Sequence, residues 1–154
     1  MKEKIILYLS SLFLLLVMSG PLMAQETNDS YGYVQKAQPA PVKRYCQTLQ
    51  LKDDPELIAE YEKWHRSENI WKEITAGLKK VGVIDSEIYR HGTLLVMILT
   101  VPADFDFEKQ MGKLAGLPRQ AEWEEFMSKY QASDPDASSS EKWVQMKRIF
   151  KLDS

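Results

Sequence analysis

From residue 42 onward the apolar positions recur with regular spacing, and that spacing changes repeatedly between the period of a strand and the period of a helix. Residues 42–51, VKRYCQTLQL, have strand composition, with Tyr45, Leu49 and Leu51 on one side. Asp54 followed by Pro55 predicts a helix N-cap with proline at the first helical position, and the helix runs to about Arg66. The stretch SEN interrupts it, and Ser67 or Asn69 is placed to cap a second segment. That segment carries Ile70, Ile74 and Leu78 at four-residue spacing and stops near Gly82. In VIDSEIYR, Ile84, Ser86 and Ile88 alternate against Asp85, Glu87 and Tyr89, a strand pattern that turns at His91-Gly92. TLLVMILTV is a continuous apolar run and predicts a central strand buried on both faces. Asp104 or Asp106 opens another helix, which breaks at Gly116 and restarts at Pro118. Trp123, Phe126, Met127 and Tyr130 then form an i, i+3, i+4, i+7 stripe. ASDPDASSS reads as a loop, and KWVQMKRIFKL as the last strand.

The resulting order is β-α-β-β-α-β, an α+β class. It is the ferredoxin-like split βαβ arrangement, four antiparallel strands with helices on one face. The other sheet face is left uncovered by the chain, so pairing of two sheets in a homodimer is expected.

Ahead of this domain the pattern is different. Met1-Lys2-Glu3-Lys4 is followed by an apolar run over residues 5–18 and then SGPLMA. A charged start, a run of that length and a small residue at the end predict a signal peptide over 1–24 and an exported chain, periplasmic or secreted. The run is short for a membrane span, so no membrane attachment is expected after cleavage. Residues 25–41, rich in Gln, Asn and Pro without periodicity, read as a flexible leader, and 42–154 as the domain. Loss of Lys2, Glu3 and Lys4 takes the formal net charge from −2 to −3. That mild acidity gives no reason to expect nucleic acid as a partner. The single cysteine, Cys46, excludes an internal disulfide and reads as a small buried hydrophobe within a strand.

Candidate chemistry is sparse. The chain has two histidines, His65 and His91, and no Cys or carboxylate cluster completes a metal-ligand set. No phosphate-cradling glycine loop and no nucleophile elbow occurs. At 100° per residue, Leu57, Tyr61 and Trp64 form the middle of the first helix's buried stripe, and His65 sits on its margin beside Tyr61. A margin position can be shielded on one side and open to a cavity on the other. The competing expectation is a boundary histidine with a satisfied hydrogen bond. Glu87 and Tyr89 are expected to be structural or interfacial, Trp143 to be packing, and His91 to have no role.

These residues resemble a known family. RYCQTLQLKDDPELIAEYEKWH with IWKEI, then EIYR, AEWEEFMSKYQ and EKWVQMKRIFKL, is similar to the L-rhamnose mutarotases over nearly all of residues 42–152. The most specific element is Tyr61, His65, Ile70 and Trp71 in the β-α-β-β-α-β context. The resemblance implies a dimeric α+β barrel of ferredoxin-like subunits. It also implies cofactor-free interconversion of the α and β anomers of a 6-deoxy sugar of the L-rhamnose or L-fucose type. By the same resemblance the acid–base histidine falls on His65, and sugar-contacting positions fall on Tyr61, Trp123 and Ser86. Two positions depart: Ser86 stands where the family has a strand tyrosine, and Glu124 where it has the second of paired tryptophans. The alternative function is an exported sugar-binding or interaction module of the same fold without catalysis. A dimeric-barrel monooxygenase rests on fold analogy alone.

Overall fold

The computed structural model describes residues 35–134 and 137–152. The expected signal peptide lies outside the described residues; of the leader, only residues 35–41 are described, and they carry no helix or strand. In chain order the elements are β1 (Val42–Gln50), α1 (Pro55–His65), α2 (Lys72–Lys80), β2 (Asp85–His91), β3 (Leu94–Pro102), α3 (Phe107–Ala115), α4 (Gln120–Ser128), α5 (Ser139–Lys142) and β4 (Val144–Gln145). The sheet order is β2-β3-β1-β4 with every pair antiparallel. This is the ferredoxin-like α+β fold, with each crossover helix in two pieces.

Local chemistry sets the helix ends. Asp54 Oδ1 accepts the backbone N–H groups of Glu56 and Leu57 at 2.9 and 3.2 Å, and Pro55 follows it where no donor is needed. At the other end Asn69 donates its side-chain N–H to the Lys63 carbonyl at 2.8 Å. Asn69 therefore closes α1 and does not open α2, whose N-cap is Trp71 with no side-chain cap bond. Ser67 hydrogen-bonds Glu68 instead. Gly82, at φ 97°, reverses the chain into β2, a conformation that favours glycine. Of the two aspartates ahead of α3, Asp106 is the cap, accepting Lys109 N–H at 3.1 Å. α4 begins after Arg119, a non-glycine residue at φ 60°. Its guanidinium lies 3.9 Å over the Trp71 ring and its Nε donates to Glu122 at 3.1 Å, contacts that offset the backbone cost.

The packed core has two lobes. One holds Leu49, Leu51, Tyr61, Ile74, Leu95, Trp123, Met127 and Tyr130; the other holds Val81, Val83, Leu99, Val101, Phe105 and Leu114. Both lie between the helices and one sheet face.

Three sequence expectations need correction. The last strand is not continuous over 142–152. Ser138 and Glu141 form a capping box that winds Ser139–Lys142 into a helical turn, and only Val144 and Gln145 pair with β1, followed by one bond from Met146 N–H to the Cys46 carbonyl. Continuing that register would set Arg148 directly opposite Arg44, and facing like charges destabilise a ladder. In β3, Leu95, Leu99 and Val101 are buried on the helix side and Met97 is half-buried there; on the other side Thr100 is buried but Val96 and Ile98 are half-buried. Cys46 lies on that same open side, half-buried, with its Sγ 3.6 Å from Met146 Sδ.

The Asp54 cap yields a test. Asp54→Ala is expected to cost about 1 kcal/mol of stability, seen as a lower urea midpoint with unchanged slope.

Candidate active site

Tyr61 faces the core from α1 and is 3 % exposed, against Leu49 and Leu95 of the sheet and Tyr130. His65 comes one turn later, on the last turn of the helix, where backbone carbonyls begin to lack intrahelical partners. Its Nδ1 lies 2.9 Å from the carbonyl oxygen of Tyr61. A carbonyl only accepts, so Nδ1 carries the proton, and in the neutral ring Nε2 carries the lone pair. The imidazole is packed face against the Tyr61 ring, with centroids 4.0 Å apart, and edge-on to Trp123 at 5.5 Å. Burial holds its pKa below the ordinary histidine value, and the hydrogen bond to Tyr61 opposes this more weakly. Burial also pushes the Tyr61 phenol far up, helped by the negative charge of Glu124, so Tyr61 stays protonated as a hydroxyl donor.

These rings form one wall of a cavity of about 590 Å³ between the covered sheet face and the helices. His65, Tyr61, Ser86 and Trp123 all line it. Ser86 enters from β2, in alternation with Ile88, while Glu87 and Tyr89 point to the opposite sheet face and bond each other at 3.1 Å. Trp123 is held in place by Trp71, edge-to-face at 5.2 Å, and Trp71 in turn stacks parallel on Phe126. His91, in β2, does not line the cavity.

Several lining residues escaped the sequence reading. Gln131 is 3 % exposed, and its Oε1 is buried without a hydrogen-bond partner among the described residues. Gln47 is buried on β1 and donates Nε2 to the Trp143 carbonyl at 3.2 Å. Trp143 itself lines the cavity rather than only packing. One signal was available: Gln47 is a polar residue in strict alternation with Tyr45 and Leu49 on the core side of a strand. Glu124, one position after Trp123, also lines the cavity; its Oε1 accepts from Ser139 Oγ at 2.9 Å and Gln120 Nε2 at 3.4 Å.

The L-rhamnose mutarotase family model matches residues 44–152, all but the first two residues of β1 and everything after them through the last described position. The chain belongs to the L-rhamnose mutarotase family. Among its relatives is a protein named L-fucose mutarotase from Xanthomonas campestris pv. campestris, 41 % identical over 111 residues, covering 72 % of this chain and 89 % of the relative. A UPF0734 protein of Dictyostelium discoideum is 38 % identical over 115 residues, covering 72 % of this chain and 90 % of that protein. The crystal structure of an L-rhamnose mutarotase from Formosa agariphila shares the fold, with a TM-score of 0.55 at 20 % identity, over 72 % of this chain and 99 % of that one.

In this mutarotase-family chain the neutral imidazole is the favoured form. An NMR titration is expected to place the His65 pKa below 6.5. Because the folded value lies below the unfolded one, the linked stability is fully present above the unfolded value and is lost as pH falls through the folded value. A His65 pKa above 6.5 would contradict the burial of this ring.

Proposed function

We propose that the protein interconverts the α and β anomers of a 6-deoxy sugar of the L-rhamnose or L-fucose type, with His65 as the acid–base group. The observation that carries this is the 2.9 Å bond from His65 Nδ1 to the Tyr61 carbonyl, with the same ring on the cavity wall beside Trp123. Family membership supports the reaction class, and the relative named L-fucose mutarotase supports the sugar class.

Mutarotation needs one proton to leave the anomeric hydroxyl and one to reach the ring oxygen. Both oxygens are bonded to C1, so a single group at that carbon can serve both. Neutral His65 takes the O1 proton on Nε2, and the imidazolium that forms keeps its Nδ1–H on the Tyr61 carbonyl and its face on the Tyr61 ring. The same nitrogen then returns a proton to the ring oxygen as the C1–O5 bond breaks. The aldehyde turns about C1–C2 and recloses by the reverse transfers. A group with a pKa near the working pH suits this exchange, and no cofactor is required. Tyr61 and Ser86 offer hydroxyls to the sugar, and Trp123 an apolar surface to its C–H side. A C–H face against an aromatic ring and hydroxyls against polar groups is how such sites orient a pyranose.

The reading includes a homodimer and export. Export rests on residues 1–24. The dimer is supported by the open sheet face and by the chain after β4, where Ile149, Phe150 and Leu152 are 93, 75 and 80 % exposed. An apolar segment so exposed beside a half-buried sheet face is covered most economically by a second copy placing its own sheet and tail against it.

Two outcomes follow. His65→Ala should lower catalysed anomer exchange, read by saturation transfer between the anomeric protons of L-fucose and L-rhamnose, by about 10²–10⁴-fold with an unchanged circular dichroism spectrum; retained exchange would remove His65 from the mechanism. Removal of residues 147–154 should convert a dimer to a monomer in sedimentation, and an intact chain that already sediments as a monomer would end the dimer proposal.

A further inference from the structure

The cavity's polar groups share a property that its volume does not reveal. Among the described residues that line it, Glu124 is the only one with a formal charge at neutral pH; no Lys or Arg is present, and His65 is held neutral by burial. Among the described residues both hydrogen bonds to Glu124 fall on Oε1, so Oε2 is left to accept from a ligand. Gln131 Oε1 is buried and lacks a donor among the described residues, and His65 Nε2 is the lone-pair nitrogen. Three acceptors thus line one space. The lining also has a hydrocarbon part, contributed by Leu78, Met97, Phe107, Met111 and Leu114.

We propose that Glu124 is a specificity-determining residue: it holds a hydroxyl of a neutral sugar and excludes sugar acids. The inference rests on the mutarotase reading and narrows its substrate class. A neutral pyranose supplies hydroxyl donors to the three acceptors and can turn a methyl group to the hydrocarbon wall. A hexuronate carries a C6 carboxylate, which is acceptor-only. Turned toward Glu124 it meets like charge, and turned toward the apolar wall it loses water without gaining a partner. No orientation supplies a countercharge from the described lining. Tyr61 is held protonated first by burial and then by the Glu124 charge. Ser139 and Gln120 fix the carboxylate from α5 and α4, so its position does not depend on the ligand.

The test compares three sugars of one ring configuration that differ only at C6: L-fucose, L-galactose and L-galacturonate. Catalysed anomer exchange is measured for each by saturation transfer with the full-length mature protein and with Glu124→Gln, which keeps the shape and removes the charge. The wild-type protein should favour L-fucose over L-galacturonate by roughly a hundredfold, with L-galactose between them, and Glu124→Gln should shrink the fucose-to-galacturonate ratio by about tenfold. Wild-type exchange of L-galacturonate at the rate of L-fucose would overturn the proposal whether or not the variant folds. A ratio unchanged in a folded Glu124→Gln protein would overturn it too, while leaving the mutarotase reading intact. Absence of any catalysed exchange in the wild type would instead remove the mutarotase reading, and this inference with it.

Discussion

The site depends on one backbone carbonyl. Tyr61 is anchored in the core by its ring, and its carbonyl oxygen holds His65 Nδ1 at 2.9 Å on the last turn of α1. That single bond decides which ring nitrogen has the proton, which has the lone pair, and how the imidazole plane lies against the tyrosine ring beneath it. The chain achieves this with two residues at i, i+4 spacing and an ordinary helix end. A carbonyl oxygen has two lone pairs, so the Tyr61 oxygen can serve the helix ladder and still accept the His65 ring N–H. His65 is the last residue of α1, which stops where Asn69 folds back onto Lys63.

Much of the fold was legible because it rests on period and on local caps. Asp54-Pro55, the apolar run of β3 and the Trp123-to-Tyr130 stripe each carry their own signal, and the β-α-β-β-α-β order follows from them. The misread parts turn on tertiary facts. Whether Asn69 opens one helix or closes another depends on which carbonyl it reaches. The 142–152 segment has strand composition throughout, yet pairing ends at Gln145 and Met146, short of the position where the register would bring Arg148 to Arg44, a conflict visible only once the partner strand is known.

The site divides in the same way. Tyr61 and His65 were legible as neighbours on one helix face, and the family resemblance pointed to Trp123 and Ser86. Gln131 was not legible, since a glutamine after a helix looks like surface; only the packing around the Leu51–Gln131 bridge puts it inside. Glu124 was visible as a departure from the family pattern, but its meaning depends on the absence of a cation from the described lining, contributed by several separate elements.

The cavity also has a thermodynamic side. It is bordered by Tyr61, Ile74, Trp123 and Met127 from one core lobe and by Leu99 and Leu114 from the other. The interior is thus divided at the place where a ligand would sit, and each lobe lacks neighbours there. A molecule that fills the gap acts as missing core, so occupancy and unfolding are linked by mass action: the chain is least robust when empty and gains resistance to denaturation in proportion to the logarithm of free ligand above its dissociation constant.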